Sequence, residues 1–361
     1  MPIDRAHFAV LSAALCVWVA AAAATELTGR ELYEGACTSC HGNDGRGAPQ
    51  GTAISVPLPD FTDCNFITRE GDGNWVYLIA HGGRGLGLSP QMPAFDDVLT
   101  EGQIHLVLDY IRSFCDDPRW PRGELNFRRP LVTTKAYPED EILLLPQFTK
   151  GRNGERDWVT ELSVEGRVGA RGEFEVGLPF AVHDVTDGAT TAGIGDVGLA
   201  YKHVLYANLR TLTIASASLD LVLPTGDRDR HLGDGTVSFE PALLAGQQIR
   251  NLVIQGEIRG VAPVDEHRAD RGVDYSFAFS YPLSALKSAW VPTLELEVVQ
   301  DVTAGQHNLL LTPEIYKGLT SRGHIAVAVG AQIPVAGDPD PFDYRVLTFL
   351  LWDYADGGLW W

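Results

Sequence analysis

The chain has 361 residues, 45% hydrophobic and 21% charged, and its 28 Lys plus Arg against 47 Asp plus Glu leave a net charge of −19 at pH 7. That length suggests more than one domain, and the apolar content permits a substantial core. The acidic balance argues against nucleic acid or an anionic lipid surface as the main partner.

The first residues read as an export signal. "MPIDRAHFAVLSAALCVWVAAAAATELTG" offers Arg5, an apolar run from Phe8 to about Ala23, and small residues where a peptidase would cut, near Ala24. An uncleaved anchor is the alternative, although the run is short for a spanning helix. Cys16 lies in this run behind Leu15, which is not the small residue expected before a lipidated cysteine. No later stretch is apolar for long enough to span as a helix. Removal of 1–24 leaves Cys37, Cys40, Cys64 and Cys115.

From residue 25 to about Asp117 the pattern is helical. Thr28 with Glu31 makes a capping box ahead of Leu32, Tyr33 and Ala36. A second helix is expected in "GNWVYLIAHGG", ending at Gly82 and Gly83. A third is expected in "LTEGQIHLVLDYIRSF", where Thr100 and Gln103 form another box and Ile104, Val107, Leu108 and Ile111 form a stripe.

Between the first two helices stands "GACTSCHGNDGRG", with Cys37, Cys40 and His41 spaced C-x-x-C-H. Zinc would need four ligands, and no nearby Cys or His pair completes the set. A redox dithiol would want a strand-to-helix setting. In C-x-x-C-H the two thiols can anchor haem covalently and the adjacent His can reach its iron, so haem is the preferred reading. Met1 belongs to the signal, which makes Met92 in "SPQMPAF" the one methionine of the mature chain and the candidate second axial ligand. His81 is its rival. Arg46 is a candidate neighbour of a haem propionate, with simple solvent exposure as the alternative. Pairing of Cys64 with Cys115 stays open, since sequence supplies no distance.

"CTSCH", "PLPDFTD", "WVYLIAHGG", "MPAF" and "LVLDYIRSF" together resemble the ordered landmarks of a class I c-type cytochrome domain, over about a quarter of the chain. The resemblance implies one covalently attached haem c, held by Cys37 and Cys40 with His41 and Met92 as iron ligands, and first and last helices packed on each other.

Residues 118–140 are rich in Pro, Arg and polar groups and read as a linker or strap. Beyond them the period changes to two. "EFEVGLPFAV", "DVGLAYKHVLY" and "GVDYSFAFSYPL" put Phe174 to Val182, Val197 to Leu205 and Val273 to Leu283 on one face at alternate positions. Twelve such strands are expected near 142–149, 158–168, 171–183, 193–205, 209–222, 236–247, 251–263, 273–284, 289–301, 306–317, 322–334 and 343–354. Tight connections ("GA", "AN", "QIR") alternate with long polar ones, with a short turn near Ala304 as the exception. The pattern fits an antiparallel transmembrane barrel over 141–361 whose apolar face meets lipid. A soluble β-sandwich is the alternative. Glu161, Glu165, Arg167, Glu173, Glu175, Lys202, Glu295 and Glu297 are expected on the inner face.

"AGIGDVGLAYKHVLY" and "LDLVLPTGDRDRHLGDG" are similar to bacterial outer-membrane proteins of the phenol-degradation MetA-like group, and the final "GGLWW" is similar to barrels that end on an aromatic residue. The two resemblances together imply a multidomain chain, a small all-α cytochrome followed by an all-β barrel of about twelve strands in outer-membrane lipid. An even strand count returns both barrel ends to the short-turn side, so the haem domain is expected to be periplasmic.

The expected function is one-electron transfer with periplasmic redox proteins that present a basic face, with a partner cytochrome or a mobile substrate needed for any route across the membrane. Two alternatives remain: an outer-membrane iron oxidase of cytochrome-porin layout, and a small-solute channel carrying a docking or sensing cytochrome. His231, His267, His307 and His324 are too scattered to suggest a metal site. The polar loop 223–235 is more simply solvated than a cation site, and nothing marks a phosphate cradle or a hydrolytic triad.

Overall fold

The structure, a computed structural model, describes residues 26–48, 51–152, 154–184, 190–337 and 342–354. The expected signal and the terminal "GGLWW" lie outside the described residues. Among those described, no helix is long and apolar enough to cross a membrane.

The N-terminal domain is built from five helices: α1 (Gly29–Ala36), α2 (Thr38–His41), α3 (Cys64–Arg69), α4 (Asp72–His81) and α5 (Glu101–Arg112). Both expected capping boxes are present, Thr28 with Glu31 on α1 and Thr100 with Gln103 on α5, so each helix begins with satisfied backbone donors. The apolar stripe of α5 and the buried side of α1 share one core with Phe61, Ile67, Trp75 and Ile79. Tyr33 of α1 meets Tyr110 of α5 with ring centroids 5.2 Å apart, so the first and last helices do pack together. The α3 helix was not foreseen. At six residues it is too short to show a period, and its start is marked by Asp63, which accepts from the Asn65 N–H at 2.9 Å.

A disulfide joins Cys64 at the start of α3 to Cys115 just past α5, across a sequence separation of 51 residues. The bond anchors a helix too short to hold its own position.

The second domain is a closed antiparallel barrel of twelve staves, drawn as thirteen strands because one stave is interrupted. In chain order these are β1 (Glu141–Lys150), β2 (Arg156–Val168), β3 (Gly172–Asp184), β4 (Thr191–Ile194), β5 (Val197–Asn208), β6 (Thr213–Leu223), β7 (Ser238–Ile249), β8 (Leu252–Pro263), β9 (Gly272–Ser280), β10 (Trp290–Asp301), β11 (Gln306–Gly318), β12 (Ile325–Gly337) and β13 (Tyr344–Asp353). Each stave pairs with its neighbours in sequence, and β1 pairs with β13, which leaves no free edge. The expected stave at 193–205 splits into β4 and β5 at Gly195 and Asp196, opposite Pro179 of β3. Proline has no N–H to give the ladder, and the chain instead closes with Gly195 N–H donating to the Pro179 carbonyl at 2.8 Å.

Alternation sorts the side chains as expected. Phe174, Leu178, Phe180, Leu199, Tyr201, Phe277 and Phe279 are exposed on the outside, a skin that water would not tolerate and lipid would. The eight polar residues assigned to the inner face all alternate inward with the buried set. Tyr281 and Leu283 were expected on the outer face of a strand, but that strand ends at Ser280 and both lie in the turn after it.

Tight turns at 169–171, 209–212 and 250–251 lie at the rim where β1 begins and β13 ends. The haem-motif domain sits on this rim. Two connections here, 281–289 and 319–324, are longer than their neighbours, and they are the ones that hold it. Lys287 Nζ donates to Glu70 at 2.9 Å, the Lys287 N–H to Asn74 Oδ1 at 3.4 Å, and Asn74 Nδ2 to the Arg322 carbonyl at 3.2 Å. Burial works to discharge the Lys287 ammonium, and Glu70 and Asp353 outweigh it, holding its pKa above the ordinary lysine value.

The expected linker, 118–140, does not hang between the domains. Tyr137 is buried at the junction, donating to the carbonyls of Thr68 at 3.3 Å and Pro121 at 3.0 Å. Residues 125–139 descend into the barrel lumen and return to start β1. There the N–H groups of Leu131, Val132 and Thr133 donate to Glu295 at 2.7–3.0 Å, Leu131 N–H also to Glu314 at 2.8 Å, and Thr134 N–H to Glu257 at 2.8 Å. Arg129 pairs with Glu165, Lys135 with Glu139 and Glu141, and the Ala136 carbonyl accepts from Ser216. Composition alone could not separate this plug from a linker, because many of its donors are backbone N–H groups that every sequence has.

Cys115→Ser is expected to lower the stability of the helical domain by up to about 4 kcal/mol, the chain-entropy value for a loop of this size. Guanidinium melts followed by tryptophan fluorescence would show the loss as an early transition, while heat-modifiable gel migration of the barrel stays unchanged.

Candidate functional site

Cys37 ends α1 and starts α2, and Cys40 and His41 complete that single helical turn. The turn is stitched by Cys40 and His41 N–H groups donating to the Cys37 carbonyl at 3.1 and 2.9 Å. One turn of helix puts i and i+3 on the same side, so both thiols are offered together with the imidazole beside them. Both cysteines are free thiols, half-buried. Burial, with Cys40 adjacent, pushes the Cys37 thiol up to about 11, so it remains a thiol at neutral pH.

The His41 ring stacks on Phe61, centroids 4.9 Å apart, and Phe61 belongs to the domain core. Burial lowers the His41 pKa and keeps the imidazole neutral, the form with a lone pair for a metal. Its Nδ1 is buried without a hydrogen-bond partner. Phe61 lies in the "PLPDFTD" landmark, but its contact with His41 was not anticipated, since a lone aromatic after two prolines carries no period.

Met92 sits in the loop between α4 and α5, half-buried. Its backbone is tied at both ends: Met92 N–H donates to Ser89 O at 3.2 Å, and its carbonyl accepts from Gly83 N–H at 3.0 Å. Two glycines make the local geometry. Gly42 (φ 72, ψ 162) ends α2 and Gly82 (φ 71, ψ 177) ends α4, both in a backbone region that is essentially closed to other residues. A Cβ on Gly82 would also lie 2.8 Å from the Met92 carbonyl oxygen, so the loop closes on α4 only because that atom is missing.

The rival ligand, His81, is half exposed, with Nδ1 3.2 Å from Asp96 and its ring edge-on to Tyr77. Arg46 lies 3.6 Å from Asp60 on the surface. The donor set of paired free thiols and a neutral, half-buried imidazole against the aromatic core, with a thioether on a pinned loop, fits a covalently held haem. Among the described residues, no group of three or more His, Cys, Asp or Glu is arranged to hold a bare metal ion.

A family model described as cytochrome c oxidase, cbb3-type, subunit III matches residues 24–111. The helical domain is a cytochrome c domain, and such a domain implies haem c. No curated protein matches the chain. Among solved structures the chain is similar to an outer-membrane channel from Pseudomonas putida F1, at 14% identity and a TM-score of 0.47 over 63% of this chain and 99% of that one. It is also similar to the KdgM porin, at 10% identity and a TM-score of 0.42 over 59% of this chain and 99% of the porin. The NanC porin gives 7% identity and a TM-score of 0.42 over 59% and 98%.

Gly82→Val is expected to cost about 1–3 kcal/mol in backbone strain and to displace the Met92 loop. The readout is the sulfur-to-iron charge-transfer band of the oxidised protein, which should vanish while covalent haem staining persists. An unchanged band would mean that the iron's sixth ligand does not come from this loop.

Proposed function

We propose that the chain is an outer-membrane-anchored monohaem c-type cytochrome that exchanges single electrons with periplasmic redox proteins. The observation that carries this reading is the union of two features: a C-x-x-C-H turn with both thiols free, in a domain fixed by buried contacts to the tight-turn rim of a closed, apolar-skinned barrel. Cys37 and Cys40 hold the cofactor covalently, and His41 and Met92 are the axial ligands. His81 is turned to Asp96 on the surface, which favours Met92 over it. Haem c bound there would supply an iron that cycles between the ferric and ferrous states.

The protein's own contribution is position and environment. Phe61 backs the His41 ring, the Gly82 turn lets the Met92 loop close, and the surrounding aromatic core keeps the site dry enough to favour the less charged state. Asp44, Asp60, Asp96 and Asp97 are exposed near these segments, which suits a partner with a basic docking face. Bacterial outer-membrane barrels keep short turns on the periplasmic side, so the rim that carries the haem domain is read as the periplasmic one. Export through the N-terminal signal and covalent haem attachment in an oxidising compartment agree with the disulfide at Cys64 and Cys115.

Haem staining of the denatured protein should be positive for the wild type and lost in Cys37→Ser/Cys40→Ser. Stopped-flow reduction by a basic redox protein should slow at least about tenfold on moving from low to moderate salt. A rate indifferent to salt, or one faster with an acidic donor, would contradict the proposed partner class.

A further inference from the structure

Alternation places Gly246 of β7 and Gly330 of β12 on the lumen side, and each is a seat for the strap. A Cβ on Gly246 would lie 2.9 Å from the Phe127 ring, and one on Gly330 would lie 2.6 Å from Leu131 Cδ1. Between these seats the wall supplies matching polar groups. Glu295, fully buried, takes the N–H groups of three successive strap residues, Lys202 Nζ donates to the Lys135 carbonyl at 3.2 Å, and Gln255 Nε2 donates to the Arg128 carbonyl at 2.8 Å. Wall and strap therefore complement each other in shape and in hydrogen bonding from several sides of the barrel.

We propose that residues 125–139 are a resident plug that closes the barrel to solutes in the intact chain, and that the lumen behind the plug is a cation-selective pore. The complementarity is what makes the closure stable. Without the strap, Glu257, Glu295 and Glu314 would lose donors that water alone would have to replace. The selectivity follows from the wall nearer the far rim, beyond the level of the strap contacts. There Glu161, Glu175, Asp220, Glu240, Asp274 and Glu297 face inward, against Arg259 and Arg345. Arg259 is shared among Asp220, Glu240 and Glu257, so carboxylates remain in excess. Rings of carboxylates lining a constriction pass cations and repel anions. The inference stands apart from the redox reading, because it needs no haem.

The test is conductance of the full-length protein in planar bilayers across a potassium chloride gradient. The wild type should carry no steady current. A variant with 125–136 replaced by Gly and Ser at equal length should conduct steadily, with a reversal potential on the cation side, while heat-modifiable migration reports a folded barrel. Should that variant fail to fold, Glu295→Ala/Glu314→Ala, which removes strap anchors and leaves the chain intact, decides: bursts of current support the plug and silence overturns it. A steadily conducting wild type, a folded but silent strap variant, or an anion-selective reversal would each overturn the proposal.

Discussion

The contact on which the rest of the structure depends is the one between the Glu295 carboxylate and the backbone N–H groups of Leu131, Val132 and Thr133. A carboxylate with no exposure to solvent is tolerable only when donors meet it, and here the strap supplies three of them. The strap is thereby part of the barrel's interior. Because the strap also leads directly from α5 to β1, seating it brings the helical domain down onto the rim. There Tyr137, Lys287 and Asn74 complete the attachment. Barrel, strap and haem-motif domain are joined by buried polar contacts at two levels, one inside the lumen and one at its mouth.

That arrangement gives the proposed redox role a structural frame. A domain of this size does not enter a twelve-stave barrel; it stands on it, tied through turns 281–289 and 319–324, which are longer than the neighbouring turns. On the proposed function the membrane part would anchor a redox centre at the rim, while the strap occupies the lumen. A route for electrons through the membrane would need a further carrier, since one haem cannot cover an apolar band about 25 Å high.

Much of this was legible in the amino-acid order, for reasons that differ between the two domains. In the helical part, capping boxes at Thr28 and Thr100 and the stripe on α5 are local signals read over four to twelve residues, and they mark real helices. In the barrel, a period of two marks the staves and places Glu161, Glu165, Glu173, Glu175, Glu295 and Glu297 on the inner face; Asp220, Glu240, Glu257, Asp274 and Glu314 share that face without having been singled out. What escaped was set by partners distant in sequence. The break between β4 and β5 answers a proline on the neighbouring stave, α3 leans on a disulfide, and the Phe61 ring finds His41 only in the fold. The plug escaped for the same reason, since many of its anchors are backbone groups and its seats are two glycines on β7 and β12 that look like ordinary strand positions.

The account stands or falls on which face of the outer membrane carries the haem domain. The direct measurement is haem staining of fractionated cells after protease treatment of intact and of permeabilised cells. The account predicts a haem-stained, full-length protein in the outer-membrane fraction that survives protease outside intact cells and loses its haem domain only after permeabilisation. A haem-stained protein confined to the soluble periplasm, or a haem domain shaved from intact cells by external protease, would contradict it.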